Sequence, residues 1–111
     1  MTQNENYRNV AISISTNGNN TIIAAPATTG NYLAIDFIAL IPTTAVGVTF
    51  KSGSTALSGA FPLDAKQSIV FDNANEMTQG TITCAPNEDF VISLDSGVQV
   101  GGFARYREVG N

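Results

Sequence analysis

The sequence predicts an all-β protein, a jelly-roll-like antiparallel β-sandwich of about eight or nine short strands. Three observations carry that expectation. Apolar and polar residues alternate with a period of two over several short runs, as in Val10, Ile12 and Ile14 set between Ala11, Ser13 and Ser15. Gly, Pro, Asn and Asp punctuate these runs at short intervals, which is how sandwich and barrel sequences place their turns. No window of helical length carries apolar residues at a 3.6-residue period.

Taken in order, residues 7–15 form a half-buried strand, and Asn17-Gly18 follows as a turn because both residues tolerate positive φ. Residues 21–25 form a second strand that stops at Pro26. Residues 32–41 are the most apolar segment. One face presents Leu33, Ile35, Phe37, Ala39 and Ile41, the other Tyr32, Ala34, Asp36, Ile38 and Leu40. A strand apolar on both sides is either covered on both sides or has one face in a subunit interface. In the second case Tyr32, Ile38 and Leu40 line the contact between copies, and the protein is a homo-oligomer.

Pro42 closes that strand, and residues 46–51 resume with Val46, Val48 and Phe50 on one face. Ser52-Gly53-Ser54 is a turn. Residues 56–63 read as a short edge strand, 68–71 as another, and 72–79 as a polar loop with room for one helical turn. Residues 80–84, 90–94 and 98–109 complete the set, with Asp95-Ser96-Gly97 turning between the last two. The organisation is a polar N-terminal arm over residues 1–9 and a single β-sandwich domain over 10–111, since 111 residues rarely build two cores.

Composition narrows the function. The chain is 43% hydrophobic but only 13% charged, against about 25% charged in an average globular domain. A surface so poor in charge is weakly protected from association, which suits a chain that assembles. The net charge is −4, and the five basic residues are scattered. Neither nucleic acid nor an acidic membrane surface is an expected partner, because both need concentrated Lys and Arg. The apolar stretch 33–41 is broken by Asp36 and far shorter than the ~20 residues of a membrane span. The first nine residues lack a basic-then-apolar leader pattern, so the expectation is synthesis without a signal peptide.

Catalytic chemistry finds little to work with. There is no histidine, and Cys84 is the one cysteine, so neither a thiolate metal cluster nor an intrachain disulfide is available. Cys84 lies in an apolar strand, where a thiol acts as a small core residue. Glu88 and Asp89 are adjacent and point to opposite faces of an extended chain, so they do not converge on one substrate. Asp72-Asn73-Ala74-Asn75-Glu76 is oxygen-rich, but Ala74 occupies a position where a calcium loop needs a ligand, and the required glycine is missing. No catalytic, cofactor or metal residue is assigned. In the last strand, Phe103, Arg105 and Arg107 alternate onto one face as a candidate partner-contact stripe, since Arg and aromatics are enriched where interfaces are tightest.

From Asn19 onward the chain resembles small structural proteins encoded near the capsid genes of tailed bacteriophages. The resemblance is carried by Asn20-Thr21-Ile22-Ile23-Ala24-Ala25, by the block from Val48 to Gly59 (Val-Thr-Phe-Lys-Ser-Gly-Ser-Thr-Ala-Leu-Ser-Gly) with Pro62-Leu63 after it, and by the run from Asp89 to Gly102. It implies a capsid decoration, or cement, protein: a non-enzymatic β-sandwich on the exterior of the virion head, often a trimer, bound to the lattice of the major capsid protein. It implies no cofactor and no catalytic residues. On that reading the polar start of the chain, with Thr2, Gln3, Asn4, Glu5, Tyr7 and Arg8, is a capsid-contacting arm. The alternative is a fibre or head-spike module that binds a host cell-surface glycan.

Overall fold

The computed structural model describes residues 7–72 and 82–110. Ten strands, and no helix among the described residues, form two antiparallel sheets. The strands are β1 (Arg8–Ile14), β2 (Gly18–Ile23), β3 (Tyr32–Pro42), β4 (Val46–Ser52), β5 (Thr55–Ala56), β6 (Phe61–Leu63), β7 (Ile69–Asp72), β8 (Ile82–Thr83), β9 (Phe90–Leu94) and β10 (Val100–Val109). Sheet A has the order β1-β10-β3-β7, with β8 also pairing β3; sheet B has the order β2-β9-β4-β5, with β6 also pairing β4. The pieces β5 and β6 lie along one edge of β4, and β7 and β8 along one edge of β3. Counting each pair as one interrupted strand turns the orders into 1-8-3-6 and 2-7-4-5, the double Greek key of a jelly roll. The expected fold class is what the structure shows.

Local chemistry explains most boundaries. Gly18, the first residue of β2, adopts φ 98° where the chain leaves the preceding turn, a conformation that costs a glycine little. The single strand expected over 56–63 is instead two short pieces. The chain bends away from β4 after Ala56 and returns at Phe61, where Pro62, lacking an N–H, is tolerated because it lies at the edge of the sheet.

The two sheets close over one core. Sheet A contributes Ile12, Leu33, Ile35, Ile38, Leu40, Val100 and Ala104, and sheet B contributes Val46, Val48, Phe50, Phe90, Ile92 and Leu94. β4 shows the logic: Val46, Val48, Phe50 and Ser52 are buried while Gly47, Thr49 and Lys51 are not. Each of its apolar side chains contributes about 1.5–3 kcal/mol on leaving water. Phe50 stands at the centre of an aromatic group, with ring centroids 5.7, 5.8 and 6.0 Å from Phe61, Phe71 and Phe90, within the range at which aromatic pairs attract.

β3 departs from simple alternation. In its ladder with β10, Arg105 pairs with Phe37 and Tyr106 with Ile35, leaving Asp36 as an extra residue, a β-bulge. The bulge reverses the phase of the strand. Leu33 and Ile35 face the core before it; Ile38 and Leu40 face the core after it, each 1% exposed. The apparent second apolar face was therefore two halves of one core face read across a phase change. Ile38 and Leu40 are core residues of the single chain rather than interface residues, and half-buried Tyr32 pairs with Val109 at the strand's end.

Candidate functional site

The same phase change puts Phe37, Ala39 and Ile41 on the outer side of sheet A. Their cross-strand partners extend that surface in rows. Ala11 pairs with Phe103, Phe103 with Ala39, and Ala39 with Val70, so one row crosses all four strands and is apolar throughout. On one side runs Asn9–Arg105–Phe37–Asp72; on the other, Ser13–Gly101–Ile41. Phe103 is 43% exposed, Ile41 45% and Val70 53%. Isolated exposed apolar side chains are ordinary, whereas a contiguous apolar row of this kind is the sort of surface that contacts use.

The rings on this face are ordered. Phe37 and Phe103 stack with centroids 5.2 Å apart, and the Arg105 guanidinium lies 5.8 Å from the Phe37 centroid and 6.0 Å from that of Tyr7. At these distances the guanidinium is attracted to both rings by cation–π interaction. Of the expected stripe, Phe103 and Arg105 are on this open surface.

Arg107 shares their side of β10 by alternation but is sealed. It is 4% exposed, its Nε donates a 3.0 Å hydrogen bond to Oδ2 of Asp36, itself buried, and its guanidinium lies 5.8 Å from the Tyr7 ring centroid. Arg107 is thus an internal ion-pair partner rather than a contact residue. A buried charge demands such a partner, and the bulge delivers Asp36 to it. Asp36, Phe37, Ala39, Ile41 and Val70 were not singled out from sequence. Their placement depends on a bulge for which no residue pattern gave a signal.

Of the expected arm, Thr2, Gln3, Asn4 and Glu5 lie outside the described residues. Tyr7 is exposed beside Arg105, and Arg8 is a sheet residue, paired with Tyr106 in β1. The arm boundary at residue 9 therefore falls inside β1. In the oxygen-rich loop only Asp72 is described, and among the described residues no cluster of His, Cys, Asp and Glu has the geometry of a metal site.

The remaining candidates have structural duties. Asp89 accepts a 2.7 Å hydrogen bond from the Ala25 backbone N–H, and Glu88 accepts one of 2.6 Å from the Ser52 hydroxyl, tying the segment before β9 to its neighbours. Ser52 Oγ in turn accepts the Ala85 N–H at 2.9 Å. Cys84 is buried beside this group. Burial pushes its thiol from an ordinary 9.0 to about 11, only partly offset by a hydrogen bond with Ser52. The folded protein should therefore react with iodoacetamide at pH 8 far more slowly than the unfolded chain, because the thiolate is the nucleophile. Rapid alkylation of the native protein would contradict that placement. The pH dependence has a definite sign. The unfolded thiol ionises first, so the protein loses stability as pH rises from about 9 to about 11.

Two depressions lie among the described residues. One, of about 290 Å³, opens between the sheets and is lined by Phe50, Leu57, Ser58, Phe61, Phe71, Ile82 and Thr83, with no titratable side chain. The other, of about 420 Å³, is shallower and holds Asp64 and Asp95, and Asp95 Oδ1 accepts the Gly47 N–H at 2.8 Å. Neither brings a nucleophile together with a base.

No family model and no curated protein matches the sequence, so the resemblance to capsid decoration proteins has no family match behind it. Among solved structures the chain is similar to a Bacillus endospore appendage subunit, from a family described as disulfide-linked pili. The TM-score is 0.57 at 16% identity, and the match covers 99% of this chain and 91% of that one. At that identity the likeness is one of fold: the same kind of β-sandwich, spanning nearly the whole of both chains.

Proposed function

We propose that this chain is a non-enzymatic structural subunit of a multi-copy surface assembly, acting by packing its sheets against other protein. The observation that carries this reading is the apolar row Ala11–Phe103–Ala39–Val70 on the solvent side of sheet A. A monomer that met only water would gain from polar residues there. The low proportion of charge supports the same reading.

The finer reading is decoration of the outside of a tailed-phage capsid, with the major capsid protein as partner. It is supported by the resemblance carried by the Val48–Gly59 block and by the suitability of a compact sandwich for shell reinforcement. A ligand that binds only the assembled lattice stabilises it by mass action. A second reading, a subunit of an extracellular fibre, is favoured by the fold likeness to an endospore appendage protein. These 111 residues hold one cysteine, buried. One thiol per subunit links at most two copies, so a fibre of this chain would be held by non-covalent packing.

Quantitative mass spectrometry of purified particles from the source tests this. A copy number of the same order as the coat protein is expected for capsid decoration. Enrichment in a filament fraction without coat protein would move the reading to the fibre, and absence from every particulate fraction would overturn both.

A further inference from the structure

The outer face of sheet A has a size pattern with its own symmetry. Across the four strands β1, β10, β3 and β7, the apolar row reads small, large, small, large: Ala11, Phe103, Ala39, Val70. We propose that two copies of this chain pack face to face through sheet A, about a two-fold axis that runs parallel to the strands between β10 and β3. The proposal rests on the reading of the chain as an assembly subunit and names its surface and partner.

That axis exchanges β10 with β3 and β1 with β7. Phe103 then meets the partner's Ala39, and Ala11 meets the partner's Val70, so within this row each large side chain faces a small one. The neighbouring row obeys the same rule, with Gly101 opposite the partner's Ile41. A two-fold axis perpendicular to the strands would instead set Phe103 against the partner's Phe103 and leave alanine facing alanine, which packs badly. Charge agrees with size. Arg105 falls opposite the partner's Phe37 ring, and the partner's Asp72 falls opposite Asn9, one strand spacing of about 4.8 Å from the arginine. Each copy thus supplies both the cation and the carboxylate, as an isologous interface requires.

The surface is modest. Three strands share about seven residues and β7 adds only four, so the face spans at most roughly 19 by 23 Å, at the low end for a specific interface. A weak dimer is expected, with dissociation in the micromolar range or above, suited to a subunit held by many simultaneous contacts.

Sedimentation velocity over a concentration series, on variants verified as folded by circular dichroism, tests the geometry. The natural sequence should show a concentration-dependent monomer–dimer equilibrium. Val70→Asp, at an exposed position, should remain folded and become monomeric. Ala11→Val should weaken dimerisation about tenfold by setting valine against the partner's valine. Adding Val70→Ala should return the affinity to within about threefold, because the large–small pairing is restored. A natural protein monomeric to about 1 mM overturns the proposal. So does an oligomer of any size that survives Val70→Asp, or a failure of the second substitution to rescue the first. A dimer with these properties that is absent from every particle would leave this interface standing while removing the structural role. Particle-bound protein that never dimerises would do the reverse.

Discussion

Alanine at Gly102 should abolish the stable fold, while alanine at Gly101 should be tolerated. Gly102 sits in the middle of sheet A, paired with Ile12 on one side and Leu40 on the other, at φ 155°. A Cβ built there would lie 1.8 Å from the carbonyl oxygen of Ala39 and 2.8 Å from its carbonyl carbon. Both atoms are backbone in a central strand, so neither can swing aside. A Cβ on Gly101 meets only the Ile12 carbonyl oxygen, at 3.9 Å. Strain from the positive φ and the clash together are expected to cost about 4 kcal/mol, a large part of the ~5–15 kcal/mol available to a domain. Thermal unfolding of the two variants is the measurement. Gly102→Ala should fail to fold or melt about 20 °C lower, and a Gly102→Ala protein as stable as Gly101→Ala would contradict the backbone geometry of β10.

The second large effect concerns the ion pair under the Tyr7 ring. Arg107→Leu should destabilise by about 3–5 kcal/mol, because it takes an ion-pair partner from a buried carboxylate. The double variant Asp36→Leu with Arg107→Leu should recover at least about 2 kcal/mol of that loss, since the desolvated charge leaves with its partner. Urea unfolding of the two single variants and the double variant closes the cycle. Equal stability for Arg107→Leu and the natural protein would mean that the pair is far better hydrated than its 3.0 Å geometry and burial imply.

These two sites also mark where the sequence was and was not legible. Alternation and punctuation placed β1, β3, β4, β9 and β10 well, because a strand with one wet face has to write its period of two into the chain. The jelly-roll class followed from many short strands of that kind. What alternation could not show was its own interruption. Asp36 was read as one polar residue on an apolar face, whereas it is the extra residue of a bulge that exchanges the two faces of β3. Ile38 and Leu40 were assigned outward by counting through it, and Arg107 was counted with Phe103 and Arg105 although the bulge supplies it with a buried partner. The pattern was right that β3 carries apolar side chains on both sides. The residues on the open side are Phe37, Ala39 and Ile41. Arg105 and Phe103 were legible because nothing in β10 breaks phase between them.

The sheet order sets a timetable for folding. β10, the last of the ten described strands in chain order, is an interior strand of sheet A, lying between β1, the first of them, and β3. Until β10 arrives, β1 has no neighbour in its sheet, and Val10, Ile12 and Ile14 have no sheet to hold them over the core. The sandwich is therefore completed only once β10 has been made, through a pairing between strands about ninety residues apart, the type of closure that folds slowly. Any fusion or tag placed after Val109 trails the strand that locks the fold, and a chain cut short before Val100 leaves both of that strand's neighbours with an unpaired edge, open to pairing with other chains.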